Sequence, residues 1–533
     1  DTEPGEMLPS PQSCNSPRHL VAYFLSAANG RVDAYCSKEV ATRMLRDYVQ
    51  REINVLLWLF LIFAMCLLGE RFVRVWELWS RARRIPGPPC SSFFGNSNFG
   101  FWENFDGYLS KLHDKYGPIL KLWLSPLQLF VSFNDPSLVC EILSKAEDKF
   151  PCSVRALRMV YGESNIFFCS YEKAKPNRDS LEFELNKNLD FKSAVIPDNV
   201  IDSIIERIEG CMLKGRVDSK RVSQQMAFCI LGSKIFGDSF LDWPYASLYE
   251  DHLSVISKDA SHWSSYRVTP FLQFDFWSYL SLCNRLKHLT ENAARKFVDN
   301  CIFFHKTDES LNSCTDKTSV KTSFGEEACG NIMGAMFHGC LAMASLISSI
   351  LERLASESKL QNEIYLETKK MSVKQDKKVQ NMALLLAFIY EAARLAPTKP
   401  LLQRCSLRRD LTLKNGVSIP AGAMIIVPVR LQQTNDHIWG NEAAKFNPHR
   451  LVIHTDSSSD LSHGTDGTHY TIKEPISNAS FLPFGSGARA CVAQKFVIQA
   501  VASLFSSLLE RFEVRPSEDS SEPSVVRFVR RND

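Results

Sequence analysis

Phe481-Leu-Pro-Phe-Gly-Ser-Gly-Ala-Arg-Ala-Cys-Val-Ala-Gln-Lys-Phe496 is the stretch on which the reading of this chain turns. A glycine-bearing loop ends at Cys491, and an apolar helical pattern begins directly after it. Cys491 is therefore expected at a helix N-terminus, where free backbone N–H groups and the positive end of the helix dipole stabilise a thiolate. A cysteine so placed serves as a nucleophile or as a metal ligand. Gly485 and Gly487 allow a flat object to approach the backbone closely. Arg489, two residues before the cysteine, offers a cation to an acidic group.

Working outward, Glu391-Ala-Ala-Arg394 lies in the apolar helical run LLLAFIYEAARLA. The i,i+3 spacing puts both charges on one helix face. Ala387, Phe388, Ile389 and Leu395 make that helix too apolar to be freely exposed, and a buried ion pair needs further partners. Phe446-Asn447-Pro448-His449-Arg450 supplies a candidate. Arg404 follows the helix in an expected strand, and Arg178 closes the segment Ala174-x-x-x-Arg178.

The pattern Phe484-x-x-Gly487-x-Arg489-x-Cys491-x-Ala493 resembles the haem-binding loop of the cytochrome P450 superfamily. The resemblance implies haem b (iron protoporphyrin IX) as cofactor and Cys491 as the axial thiolate ligand of its iron, whose electron donation favours O–O cleavage. It further implies that Phe484 shields the sulfur and that Arg489 binds a haem propionate, with Arg404 and Arg178 as additional propionate partners. Ala493 stands where glycine is usual, and Ala174 where tryptophan is usual. Glu391, Arg394 and Arg450 match the family's structural triad, with His449 in place of the commoner acid.

One segment departs from the family. The oxygen-activating helix corresponds to Phe337-His338-Gly339-Cys340-Leu341-Ala342-Met343-Ala344-Ser345. Gly339 suits the point where that helix opens over the haem. Leu341 and Ala342 fall where an acid and a threonine normally relay protons. No Asp, Glu or Thr occurs from Ala328 to Leu351, so only His338 and Ser345 offer polar side chains there, with Ser348 and Ser349 a turn further on. His338 reads either as a satisfied core histidine or as a substitute proton donor.

Nearer the N-terminus, Val55–Leu68 is an unbroken apolar run, VLLWLFLIFAMCLL. It is short for a membrane span of roughly 20 residues, but Ile53 before it and Phe72, Val73, Val75 and Trp76 after it extend it. Trp76 and Trp79 suit a membrane interface, and Arg71, Arg74, Arg81, Arg83 and Arg84 place the C-terminal side in the cytosol. The alternative is a buried core helix. Ile85-Pro86-Gly87-Pro88-Pro89 then forms a stiff break. The expected organisation is an extension of unknown role over 1–52, an anchor helix over 53–76, a basic and proline-rich hinge over 77–92 and a haem-thiolate domain over 93–533. The chain opens on Asp1, so it is either processed or lacks its start.

Composition agrees with one large domain behind an anchor. The 533 residues are 45% hydrophobic and 23% charged, enough for a large core and unlike a disordered or polytopic membrane chain. Lys+Arg minus Asp+Glu is 62 − 59 = +3, which gives no reason to invoke nucleic acid. Sixteen scattered cysteines without Cys-x-x-Cys spacing argue against a disulfide scaffold or structural zinc. Ile119–Leu124 and Leu127–Ser132 read as strands about a turn at Ser125-Pro126. Polar stretches near 305–330, 453–479 and 515–524 read as surface loops.

The fold expected is mainly α with a smaller β-rich part, cytochrome P450-like, with one N-terminal membrane-anchor helix. The resemblance implies a monooxygenase acting on an apolar small molecule of lipid, sterol or terpenoid class. Electrons would come from NADPH-cytochrome P450 reductase, and a monomeric catalytic unit would face the cytosol from the endoplasmic reticulum membrane. The missing acid and threonine keep two alternatives open: a haem-thiolate isomerase or dehydratase acting on a peroxide substrate without reductase, and a catalytically degenerate haem-binding protein.

Overall fold

A computed structural model of the chain describes residues 38–90, 105–125, 128–149, 165–187, 189, 195–212, 217–265, 273–304, 326–373, 379–455, 469–473, 480–517 and 525–531. Residues 1–37, the end of the expected hinge at 91–92, the turn residue Pro126 and the polar tracts 305–325, 456–468, 474–479 and 518–524 lie outside them. The chain divides into two units, Asp1–Arg81 and Ala82–Asp533.

The first unit carries helix α1, Lys38–Ala82. It extends past the apolar run in both directions, because no proline interrupts it before Pro86. The i,i+4 ion pairs Glu70–Arg74 and Glu77–Arg81, the latter at 3.4 Å, support its basic end. From Arg46 to Ala82 it is apolar enough to cross a membrane, and its most apolar window is wholly unburied. Leu56, Trp58 and Phe60 are each more than 60% exposed, a continuous apolar surface that water does not favour. At about 1.5 Å per residue, these 37 residues exceed the roughly 30 Å of a bilayer core.

In the second unit, the Pro-Gly-Pro-Pro segment docks on strand β1, Ile119–Ser125. Lys121 N–H donates to Pro86 O at 2.8 Å, and its ammonium donates to Ala82 O at 2.8 Å. A Cβ on Gly87 would lie 2.3 Å from Lys121 O, so only glycine permits this approach. β1 pairs antiparallel with β2, Gln128–Phe133, as the alternation in the sequence predicts. β3, Leu401–Arg404, and β4, Met424–Pro428, complete a four-stranded sheet in the order β1-β2-β4-β3. β4 runs parallel to β2 and antiparallel to β3. The sheet places Arg404, the last residue of β3, opposite Ile425. A second sheet pairs β5, Phe512–Pro516, with β6, Val525–Arg530, and adds Val217–Asp218.

The helical part is larger. Helices α2 (Tyr171–Asn186), α3 (Ser219–Phe236), α4 (Glu326–Ser356), α5 (Ala383–Leu395) and α6 (Gln494–Arg511) build the core around the site. Asp218 caps α3 by accepting from Lys220 N–H at 2.9 Å, and Gly237 ends it at φ +92°. Close α3–α4 packing depends on Gly339, whose missing side chain leaves room for Leu231: a Cβ there would be 2.9 Å from Leu231 Cδ1. Phe228, Phe236, Phe388 and Phe505 are fully buried in one apolar cluster spanning these helices, each worth about 3–5 kcal/mol against truncation to alanine.

Two expected surface loops are partly ordered secondary structure. Val452–Thr455 and His469–Ile472 form an antiparallel hairpin around the polar tract. α4 begins at Glu326, inside the stretch read as a loop to 330. Both flank polar tracts, whose composition alone does not report a hairpin or a helix start.

Candidate active site

The cysteine loop is built from tight turns. Gly485 N–H donates to Leu482 O at 2.8 Å, Ala490 N–H to Gly487 O at 3.0 Å, and Cys491 N–H to Phe484 O at 2.8 Å. Gly485 and Gly487 take φ +75° and +71°. At Gly487 a Cβ would also lie 2.2 Å from Leu143 O, at the end of helix Pro136–Lys145, so the loop is pressed against that helix's backbone. Ala493 is the N-cap of α6 with φ −99°. That conformation suits any L-residue, which explains why alanine serves where the related loops carry glycine.

Cys491 is exposed although the protein surrounds it on most sides. Burial raises its thiol pKa, while the Ala493 N–H and the charges of Arg178 and Lys399 pull the other way. Open surface in desolvating surroundings is read as a cavity with the sulfur on its wall. Lys399 shares that signature, since it is exposed yet its ammonium pKa is lowered by burial and by Arg404.

α4 lines the cavity. His338 and Leu341 are half-buried and Ala342 and Ser345 are exposed, a helical stripe at i, i+3, i+4 and i+7 on an otherwise buried helix. His338 packs against Phe167 and Phe168, with ring centroids at 5.0 and 6.0 Å. Burial, then Lys399 and Lys149, hold its pKa well below the usual histidine value, so it is neutral. Lys399 thus feels both Cys491 and His338. The structure therefore brings His338 and Ser345 to one stripe of α4, and Gly339, half-buried beside His338, also admits Leu231 of α3.

The three arginines converge beneath the loop. Arg178 of α2 donates to Ala490 O at 2.6 Å. Arg404 donates to Gln403 O at 2.9 Å and Arg489 O at 3.3 Å, and its buried Nε has no partner. Arg489 donates to Glu147 O at 3.0 Å, Ile166 O at 3.1 Å and Cys169 O at 2.6 Å, and lies over the Tyr171 ring. Arg489 is thus the clamp that fixes the 165–169 segment against the cysteine loop. Asn165 Nδ2 adds a bond to Gly330 O of α4, and Asn331 Oδ1 accepts from Ile166 N–H at 2.8 Å. These contacts set Phe167 and Phe168 over the cavity.

Lys149 joins the cluster through an antiparallel bridge. Asp148 and Cys405 exchange both backbone hydrogen bonds, at 3.2 and 2.9 Å, an isolated bridge that brings Lys149 and Arg404 near each other. Lys149 Nζ sits 5.8 Å from the Phe168 ring centre. Burial and the like charges of Lys399 and the three arginines depress its pKa strongly. The same causes, burial first and then Arg489 and Arg178, push Arg404 down to about 10. Among the described residues none of these five cations has a salt-bridge partner. Five desolvated cations with an orphaned guanidinium N–H call for anionic groups, and the two carboxylates of haem b, above a thiol at a flat glycine approach, fit that demand.

The triad residues stand behind the loop. Glu391 and Arg394 are fully buried and form a bidentate pair with both bonds at 2.8 Å. Glu391 Oε1 also accepts from Arg450 Nε and Asn447 N–H, each at 3.0 Å. Arg394 donates to Gln433 O, and the Gln433 side chain donates to Ser480 O. Phe481 continues the connection, against Tyr390 at 5.6 Å, Trp439 at 6.4 Å and Phe484 at 6.3 Å. The ion cluster is therefore wired to the start of the cysteine loop by one amide and one ring.

Sequence reasoning missed Lys149, Lys399, Asn165, Asn331, Phe167 and Phe168. The single usable signal was Asn331, a lone amide among Gly330, Ile332 and Met333.

Comparison with known proteins agrees with this geometry. Residues 85–531 match the cytochrome P450 family. Cytochrome P450 71A16 of Arabidopsis thaliana is 25% identical over 444 residues, covering 78% of this chain and 83% of the relative. A probable cytochrome P450 525A1 of Dictyostelium discoideum is 29% identical over 217 residues, 37% of this chain and 33% of the relative. The 11-oxo-beta-amyrin 30-oxidase of Glycyrrhiza uralensis is 33% identical over 131 residues, 25% of this chain and 22% of the relative. With a match across that much of its length and a cysteine loop of this build, the chain belongs to the cytochrome P450 family, whose members are haem b-binding monooxygenases.

Proposed function

We propose that this protein is a haem-thiolate monooxygenase that oxidises an apolar small molecule with dioxygen and NADPH-derived electrons. The observation that carries the reading is Cys491, which keeps open surface in desolvating surroundings near cations that, among the described residues, form no salt bridge. In this reading Cys491 ligates the iron, Phe484 shields the sulfur, and Arg178, Arg404 and Arg489 hold the propionate end. Bound there, haem b supplies dioxygen activation and one-electron chemistry. The protein excludes water with Phe167, Phe168 and Phe337, and keeps a neutral imidazole, His338, and the Ser345 hydroxyl on the cavity stripe to handle protons. The relative that acts on 11-oxo-beta-amyrin supports a terpenoid as one member of the apolar class.

α1 is the membrane anchor, and its excess of arginine after the apolar run supports a catalytic unit facing the cytosol from the endoplasmic reticulum, where a flavoprotein reductase delivers electrons. Carbonate-washed membranes should retain the full chain and release a chain starting at Ala82.

The reduced, CO-bound protein should absorb at the position of a thiolate-ligated haem, and Cys491→Ala should abolish that band. An intact protein that takes up no haem sinks the proposal. A second reading, a haem-thiolate isomerase or dehydratase, is favoured by one observation: the α4 stripe offers His338, Leu341, Ala342 and Ser345 but neither acid nor threonine. It requires turnover of a hydroperoxide without reductase. Product that forms only with NADPH, reductase and dioxygen excludes it.

A further inference from the structure

Arg489 is committed to the backbone before any ligand arrives. Its Nε donates to Glu147 O at 3.0 Å, its Nη1 to Ile166 O at 3.1 Å and its Nη2 to Cys169 O at 2.6 Å. Only one N–H on each terminal nitrogen is left for an anion. On α2, Ala174, one turn before Arg178, is fully buried and has no side-chain donor. Arg178 itself gives Nη2 to Ala490 O at 2.6 Å. Arg404 is 6% exposed and keeps a buried Nε without a partner. The three arginines thus hold the loop together as much as they offer donors to a ligand.

Lys149 stands among them. Glu147, two residues before it, takes the Arg489 Nε bond, and the Asp148–Cys405 bridge, with bonds of 3.2 and 2.9 Å, brings it near Arg404. Its ammonium lies 5.8 Å from the centre of the Phe168 ring. Arg489 holds the segment that carries this ring by the Ile166 and Cys169 carbonyls, and the ring centre is 6.0 Å from that of His338 on α4. An aromatic face attracts a cation, which fixes where the flexible lysine stem ends. Among the described residues no acid forms a salt bridge with Lys149. The adjacent Asp148 accepts from Leu407 N–H at 3.5 Å. Burial and the like charges around it lower the Lys149 pKa, in keeping with an ammonium that has no counter-charge of its own. An ammonium placed between two arginines is stabilised by a carboxylate from outside the chain.

Resting on the haem-thiolate reading above, we propose that a propionate carboxylate of haem b accepts from the Lys149 ammonium, alongside Arg404. Lys149 then supplies part of the hold on the cofactor that Arg489 gives to the protein backbone.

The test uses haem-loaded, substrate-free, detergent-solubilised full-length protein and two readouts: the rate at which haem passes to excess apomyoglobin, and the propionate bending band in the resonance Raman spectrum. Lys149→Met should lose haem about tenfold or more faster than the parent and should move the propionate band, with the CO-bound thiolate band intact in the protein that remains loaded. Lys149→Arg, which keeps the charge, should stay close to the parent's rate. An unmoved band or loss at the parent's rate in Lys149→Met overturns the assignment; faster loss with an unmoved band would make Lys149 a packing partner of Phe168 only. Equally fast loss from Lys149→Arg overturns it as well. If Lys149→Met takes up no haem, Lys149→Arg decides: slow loss supports the assignment and fast loss overturns it. A parent protein without the thiolate band instead overturns the haem-thiolate reading itself.

Discussion

Replacing Glu391 by glutamine changes one atom in the most constrained part of the core. The carboxylate accepts four hydrogen bonds: two from Arg394, one from Arg450 and one from the Asn447 N–H. An amide oxygen can keep those on one side. Its NH2 faces at least one guanidinium N–H that then has no acceptor, and Arg394 becomes a fully buried cation without a counter-charge. Breaking a buried ion pair from one side costs about 3–5 kcal/mol, against a typical total of about 5–15 kcal/mol. Urea unfolding of the detergent-solubilised full chain, followed by tryptophan fluorescence, should therefore show Glu391→Gln losing about 3–5 kcal/mol. Arg450→Lys should retain the charge but lose the fork that holds Trp439 O, Glu442 O and Lys445 O. Its loss should be smaller, because Arg450 is partly exposed. Stability of Glu391→Gln within about 1 kcal/mol of the parent would refute the view that this cluster is an obligatory buried charge network.

Two further outcomes follow from the geometry. Gly485 and Gly487 have nearly equal positive φ, but a Cβ meets nothing closer than 3.8 Å at the first and a carbonyl oxygen at 2.2 Å at the second. Gly485→Ala should cost only the left-handed strain of about 1–2 kcal/mol, and Gly487→Ala clearly more, with lower haem content on purification; the reverse order contradicts the close approach to Leu143. His113 bridges helix Phe105–Tyr116 to β2 through Gly117 O and Ser132 Oγ, both at 2.9 Å, and burial lowers its pKa below 6.5. The unfolded chain then binds the proton first, so this contribution to stability is full above pH 6.5 and is lost as pH falls from there toward the lower folded value. The melting temperature should drop over that range, and His113→Gln should flatten the drop; an unchanged slope rules out this linkage.

The cysteine loop, the first two strands and the Glu391–Arg394–Arg450 contacts were legible because each is written locally. A glycine spacing, an alternation and an i,i+3 pair need only neighbours to be read. Lys149 and Lys399 were not legible, because their importance comes from a β-bridge between residues 148 and 405 and from a cavity bounded by segments far apart in the chain. Arg489 was legible as a cation near the cysteine. Its three carbonyl partners were not, since Glu147, Ile166 and Cys169 carry no side-chain mark of that contact. The close approach of Leu231 to Gly339 was not legible either, because no local pattern around residue 339 announces it.

The unbalanced cations have a consequence for the life of the protein in a cell. A chain that gathers five mutually repelling charges in its interior is held together less well until an anionic partner arrives, and any molecule that binds only the folded state adds to its stability by mass action. Supply of the cofactor then governs how much of the chain escapes unfolding and proteolysis. Steady-state abundance then depends on haem supply through protein turnover, in addition to the rate of synthesis.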